Sequence, residues 1–217
     1  MIIAVINAKT IQEALAHARL AKARGADGVE LRIDALDDYE EIHAISEIFN
    51  EFKTVVTNRR KEEGGLKAQE EIKRIEALEK AVLLKPWAID IEMATEKKLR
   101  QRLEKTAREN DVKIIVSHHD FRKTPSKNTL KKIAETALAE GDFAKIACSA
   151  STREDAENLL CLVEKHPGKV TAFALGEKFS WTRLESLRIG APFGYAFLQE
   201  ENAPGQLSIE EMIRQLK

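Results

Sequence analysis

A lysine in an apolar strand, charged residues alternating with apolar ones in two further strands, and a histidine doublet at the end of a fourth are the groups in this chain that could do chemistry. Lys145 stands in Phe143-Ala144-Lys145-Ile146-Ala147, bounded by Gly141-Asp142 before it and Ser149 after it. A strand this apolar reads as buried on both faces, so its amine has no route along a surface to water. Burial disfavours the charged form of an amine, and a neutral amine is the nucleophile that makes Schiff bases with carbonyl compounds. The plain alternative is a lysine held in a salt bridge.

Alternate residues of a strand face opposite sides, so parity sorts each run. In Val29-Glu30-Leu31-Arg32-Ile33-Asp34 the apolar residues share one parity and the charged residues the other; Asp90 and Glu92 alternate in the same way with Ile89 and Ile91, and Lys145 opposes Ile146. An isolated buried charge costs several kcal/mol, whereas both signs converging in one interior compensate one another. A network of that kind can also be purely structural. Strand ends carry the next groups: His118-His119-Asp120-Phe121 follows one strand, and Asn58-Arg59-Arg60-Lys61-Glu62-Glu63-Gly64-Gly65 follows another. A histidine there can act as general acid and base near neutral pH, but with the strand read as ending at Ser117 parity does not say which member of the doublet faces inward. Arg59, Arg183 and the loop Asn202-Ala203-Pro204-Gly205-Gln206 offer carboxylate recognition by arginine and hydrogen bonding by amides, as an anionic, hydroxylated molecule requires.

These groups need a scaffold, and the periodicity supplies one. Strands are expected at Ile2–Ile6, Gly28–Ile33, Phe52–Thr57, Ala88–Glu92, Val112–Ser117, Phe143–Ala147, Lys169–Leu175 and Phe193–Phe197. Helices are expected near Thr10–Arg24, Tyr39–Phe49 with Asp37 and Asp38 as candidate caps, Lys67–Ala81, Thr95–Asn110, Ser126–Glu140, Ser151–Lys165, Trp181–Arg188 and Ile209–Leu216. Strict alternation implies a parallel sheet, and eight repeats imply a compact α/β fold, a closed (β/α)8 TIM barrel spanning residues 1–217 as a single domain. An open doubly wound sheet is the other architecture, and it lacks support from any Gly-x-Gly-x-x-Gly after the first strand. In a barrel, Glu30, Arg32, Asp90, Glu92 and Lys145 all point to the interior. Lys plus Arg number 35 against 36 Asp plus Glu, with no basic block, which argues against a nucleic-acid partner. No apolar run approaches the roughly 18 residues of a membrane span and the start has no signal-peptide pattern, so a soluble cytoplasmic protein is expected. Cys148 and Cys161 have neither disulfide-framework nor metal spacing, and no metal site is expected.

Taken together, Glu30-Leu31-Arg32-Ile33-Asp34, Arg59 with Glu63-Gly64-Gly65, Asp90-Ile91-Glu92, Ser117-His118-His119-Asp120-Phe121 with Lys123-Thr124-Pro125, Lys145-Ile146-Ala147, Arg183-Leu184 and Ala203-Pro204-Gly205-Gln206 resemble type I 3-dehydroquinate dehydratase, in order over nearly the whole chain. The resemblance implies a (β/α)8 barrel that converts 3-dehydroquinate to 3-dehydroshikimate in the shikimate pathway without metal or organic cofactor, in a homodimer. By the same resemblance Lys145 forms the Schiff base, His119 is the general acid and base, Glu63 orients it, and Arg183 binds the substrate carboxylate. Glu30, Arg32, Arg59, Asn202 and Gln206 contact the substrate or hold the site. Two positions depart from the family: Asn202 and Val5 stand where many members have serine. The chain as written begins at the first barrel strand, which leaves no place for the N-terminal hairpin that closes the floor in longer relatives, so a more open floor is expected. The rivals are a Schiff-base aldolase, which needs a phosphate site after the seventh and eighth strands, and a catalytically silent binding barrel.

Overall fold

The computed structural model of the chain describes residues 1–38, 42–201 and 203–217. Strands and helices alternate: β1 (Ile2–Ile6), α1 (Ile11–Ala23), β2 (Gly28–Arg32), α2 (Ser46–Glu51), β3 (Lys53–Thr57), α3 (Glu71–Val82), β4 (Ala88–Glu92), α4 (Lys97–Glu109), β5 (Lys113–Asp120), α5 (Lys127–Glu140), β6 (Phe143–Ser149), α6 (Arg153–Lys165), β7 (Val170–Leu175), α7 (Trp181–Arg188), β8 (Gly194–Phe197) and α8 (Ile209–Leu216). The strands form one parallel sheet in the order β7-β6-β5-β4-β3-β2-β1-β8. The sheet curls into a nearly closed (β/α)8 barrel whose seam lies between β7 and β8, where Thr171 Oγ1 donates to Phe193 O at 2.8 Å.

Local chemistry starts the helices where the pattern places them. Thr10 and Ser126 accept from the backbone N–H of Glu13 and Thr129, and Thr152 with Asp155 and Ser208 with Glu211 form reciprocal capping boxes. The expected helix at Tyr39–Phe49 differs most. A 3₁₀ turn occupies Ile42–Ile45 and the α-helix is confined to Ser46–Glu51. Residues 39–41, against which Asp37 and Asp38 were the expected caps, lie outside the described residues.

Parity is obeyed throughout. Val29, Leu31, Ile89, Ile91, Ala144 and Ile146 pack against the helices in the outer apolar layer, while Ile3, Val5, Val55, Ile115, Ala147, Phe173, Phe193 and Tyr195 form a separate apolar cluster inside the barrel. That cluster occupies the amino end of the barrel, where Trp87 and Phe143 are only half-buried. Trp87, Phe143, Phe193 and Tyr195 pack ring to ring, with centroids 5.5–6.1 Å apart, and fill the barrel below the charged residues. Lys53 and Lys113 lie over the Trp87 and Phe143 rings. The barrel is thus apolar at its amino end and charged from its middle upward, where the carboxyl ends of the strands open.

Candidate active site

The charged interior is built strand by strand around Lys145, which is 5% exposed. Its Nζ donates to Glu30 Oε1 on β2 at 3.2 Å and to Asp90 Oδ2 on β4 at 3.3 Å. Thr57 at the end of β3 donates to the same Glu30 oxygen at 2.8 Å. Arg59, two residues beyond, grips Asp90 through both terminal nitrogens at 2.9 Å and reaches Glu92 Oε1 at 2.8 Å. Ser117 on β5 donates to Asp90 Oδ1 at 2.6 Å. On the outer side Arg74 of α3 donates to Glu92 Oε2 and to Thr95 Oγ1, both at 2.7 Å. The salt bridge weighed for Lys145 is therefore present, and it carries two carboxylates rather than one.

Electrostatics follow from this packing. Burial pulls the Arg59 guanidinium down, but Asp90 and Glu92 outweigh it and hold the group well above its ordinary value. Burial likewise pushes Asp90 up, and Arg59 and then Lys145 reverse the effect, so it stays ionised far below the usual carboxylate range. Each charge is tolerable only because of the others. Arg32 turns its fork onto Asp34 at 2.7 and 2.8 Å. Asp34 in turn accepts the backbone N–H of Arg59 and of Leu66, tying the ends of β2 and β3 to the loop that follows.

That loop delivers Glu63. A 3₁₀ turn at Lys61–Glu63 ends at Gly64, whose φ of 87° is left-handed, and at Gly65 a Cβ would lie 2.3 Å from the Arg59 carbonyl oxygen. Only glycines let the chain fold back this tightly. Glu63 Oε2 then accepts the backbone N–H of His119 at 3.0 Å and lies 3.0 Å from its Nδ1, where an ionised Glu63 can only accept and so places the ring proton on Nδ1. Burial, then Glu92, pushes the Glu63 carboxyl up to about 7. His119 is shifted the other way, well below an ordinary imidazole, by burial and by the nearby Arg59 and Lys145.

The histidine doublet is resolved by strand length. β5 continues to Asp120, with His118 opposite Ile146 and His119 opposite Ala147 of β6, so parity still operates and sends His119 inward beside Ser117 and Ile115. His118 faces away from the cavity. Its buried Nε2 has no partner among the described residues, and burial lowers its pKa.

Glu30, Arg32, Arg59, Glu63, His119, Lys145, Arg183 and Gln206 line one cavity of about 130 Å³ at the carboxyl ends of the strands. Val5 forms part of its apolar wall with Phe173, Leu175 and Tyr195. Arg183 lies with its guanidinium 4.4 Å from the Phe173 ring centroid. Its Nε has no partner among the described residues, and burial lowers its pKa to about 10. Its Nη2 donates to Pro204 O at 3.4 Å, and the unpartnered Nε leaves the buried guanidinium suited to a carboxylate entering the cavity. Asn202 lies outside the described residues. Sequence reasoning gave no role to Thr57, Ser117, Arg74 or Tyr195. The first two share the inward parity of their strands, whereas Arg74 reads as one more helix charge until its partners are seen. Among the described residues no group of three or more His, Cys, Asp or Glu is arranged to hold a metal ion, and no helix is long and apolar enough to cross a membrane.

Comparison with known proteins agrees with this geometry. The family described as Type I 3-dehydroquinase matches residues 2–217. A 3-dehydroquinate dehydratase of Methanocaldococcus jannaschii is 37% identical over 190 residues, covering 86% of this chain and 84% of its own; one from Methanococcus vannielii is 34% identical over 213 residues, covering 98% and 96%. The crystal structure of 3-dehydroquinate dehydratase from Aquifex aeolicus superposes with a TM-score of 0.86 at 28% identity, covering 99% of this chain and 96% of that one.

Proposed function

Starting from the fact that the chain belongs to the type I 3-dehydroquinase family, and so is a dehydratase of 3-dehydroquinate in the shikimate pathway, we propose that Lys145 and His119 carry the reaction, with Glu63 positioning His119. Lys145 gives a proton to a carboxylate beside it and adds to the substrate ketone as the neutral amine; the proton returns to the carbinolamine hydroxyl, which leaves as water, so ammonium plus ketone becomes protonated imine plus one water. The cationic imine draws electrons from the neighbouring carbon and acidifies its C–H. His119 takes that proton at Nε2, because Glu63 holds Nδ1. The resulting enamine expels the hydroxyl on the next carbon, which leaves as water with the proton His119 returns. Hydrolysis of the imine then frees 3-dehydroshikimate and Lys145.

Arg183 receives the substrate carboxylate, while Glu30, Arg32, Arg59, Asn202 and Gln206 take its hydroxyls or keep the charges in place. The observation that carries this reading is Lys145, the one lysine among the described residues that lines the cavity, which His119 and Arg183 also line. We extend the proposal to residues 1–217 as one catalytic domain acting in a cytoplasmic homodimer. Borohydride added during turnover of 3-dehydroquinate should trap an adduct on Lys145 by peptide mass mapping. Lys145→Ala and His119→Ala should lose nearly all turnover and His118→Ala much less. An unmodified Lys145, or an active Lys145→Ala variant, would sink the mechanism.

A further inference from the structure

Lys145 Nζ has a third neighbour besides its two carboxylates. It lies 3.8 Å from the centroid of the Tyr195 ring. The other lysines that approach aromatic rings among the described residues do so at 5.1–5.9 Å. Tyr195 is 4% exposed and comes from β8, where it pairs with Ile3 of β1. Phe193 supports it edge to face at 5.7 Å, and Phe143 and Trp87 back Phe193 in turn. The ring is therefore fixed in place by the barrel floor. Its hydroxyl is buried without a partner among the described residues. An inaccessible hydroxyl of this kind cannot be what recommends tyrosine for contact with substrate, so attention falls on the ring face.

The chemistry of imine formation gives that face a task. An ammonium has three N–H donors; the imine that replaces it carries the same positive charge with one. Two hydrogens leave with the carbonyl oxygen as water, and Glu30 and Asp90 cannot both keep a hydrogen bond to Nζ. Attraction between a cation and a ring face depends on charge and needs no N–H. We propose that Tyr195 is a catalytic residue whose ring face stabilises the cationic imine at Lys145, maintaining an interaction that one carboxylate loses when the imine forms. This rests on the assignment of Lys145 as the imine-forming residue.

The test compares Tyr195→Phe, Tyr195→Leu, and proteins carrying phenylalanines of increasing fluorination at position 195, each in turnover and in borohydride trapping with 3-dehydroquinate. Tyr195→Phe should stay within a few-fold of the parent, because it keeps the face and removes only the unpartnered hydroxyl. Tyr195→Leu should lose roughly ten- to a hundredfold in turnover, with less adduct trapped. Fluorination withdraws electron density from the face at nearly constant shape, so turnover should fall stepwise with it. A purely packing role would leave that series flat, and a flat series overturns the proposal even if the leucine variant fails to fold. Trapping on Lys145 in the parent with a flat series refutes the role of Tyr195 alone, whereas no trapping in the parent refutes both.

Discussion

Burial acts in opposite directions on the two members of the Glu63–His119 pair. It pushes the carboxyl up to about 7 and the imidazole well below its usual value, so near neutral pH both tend toward their uncharged forms. Proton abstraction by His119 creates an imidazolium, and an ionised Glu63 on Nδ1 is what stabilises it. Below about 7 the raised pKa keeps Glu63 protonated, and this stabilisation is missing. We therefore expect kcat/KM to rise with pH through about 7. Glu63→Gln should remove that limb and lower kcat by about a hundredfold or more. A pH–rate profile of both proteins decides it, and a parent profile flat across this region would disprove the role of Glu63.

Among the elements, α3 contributes more than a covering layer. Its inward face presents Ile75, Leu78, Ala81 and Val82, as the helical period requires, but also Arg74. That guanidinium meets Glu92, Thr95 and the Asn58 carbonyl, and Glu92 meets Arg59, so a helix outside the barrel neutralises a charge inside it. Removing one partner of a buried pair leaves the other uncompensated. Arg74→Met should cost about 3–5 kcal/mol in urea unfolding, and Arg74→Lys should recover only part, since an ammonium cannot reproduce the fork. A loss below about 1 kcal/mol would show that Arg59 alone satisfies Glu92. Such a helix residue is opaque in sequence because its partners lie on other elements. Strand parity was legible, and it placed Glu30, Arg32, Asp90, Glu92 and Lys145 correctly. The ends of β5 and β6 were not, because the sequence turns polar at His118 and Ser149 while the ladder runs on to Asp120 opposite Cys148. Had that extension been read, parity alone would have selected His119.

Across the whole molecule, a formal net charge of −1 conceals strong local separation. Glu30, Asp34, Asp90 and Glu92 face Arg32, Arg59, Arg74 and Lys145 in a buried network, above a floor of aromatic rings. That floor is set by packing between residues of β6 and residues just before β4 and on β8, which no local pattern reveals. The network makes stability depend on pH with a definite sign. Asp34 is pushed up by burial but held below its ordinary 3.8 by Arg32 and two backbone N–H groups, and Asp90 is held lower still. Unfolding returns both to ordinary values, so the unfolded chain binds more protons at low pH. Their contribution is present above about pH 4 and is lost as pH falls through the folded-state values. His119, depressed from 6.5, adds a loss as pH falls below 6.5. Glu63, raised from 4.5 to about 7, opposes it, since the folded state binds the extra proton there and gains stability as pH falls from 7 to 4.5. His118, also lowered by burial, acts in the same sense as His119, so the two histidines oppose Glu63 in the mildly acidic range, and the aspartates add a decline below about pH 4. Denaturant midpoints measured against pH should show that shape. In Asp34→Asn, overall stability should be lower at neutral pH and the acid decline shallower; an unchanged acid slope would mean that Asp34 does not carry the linkage.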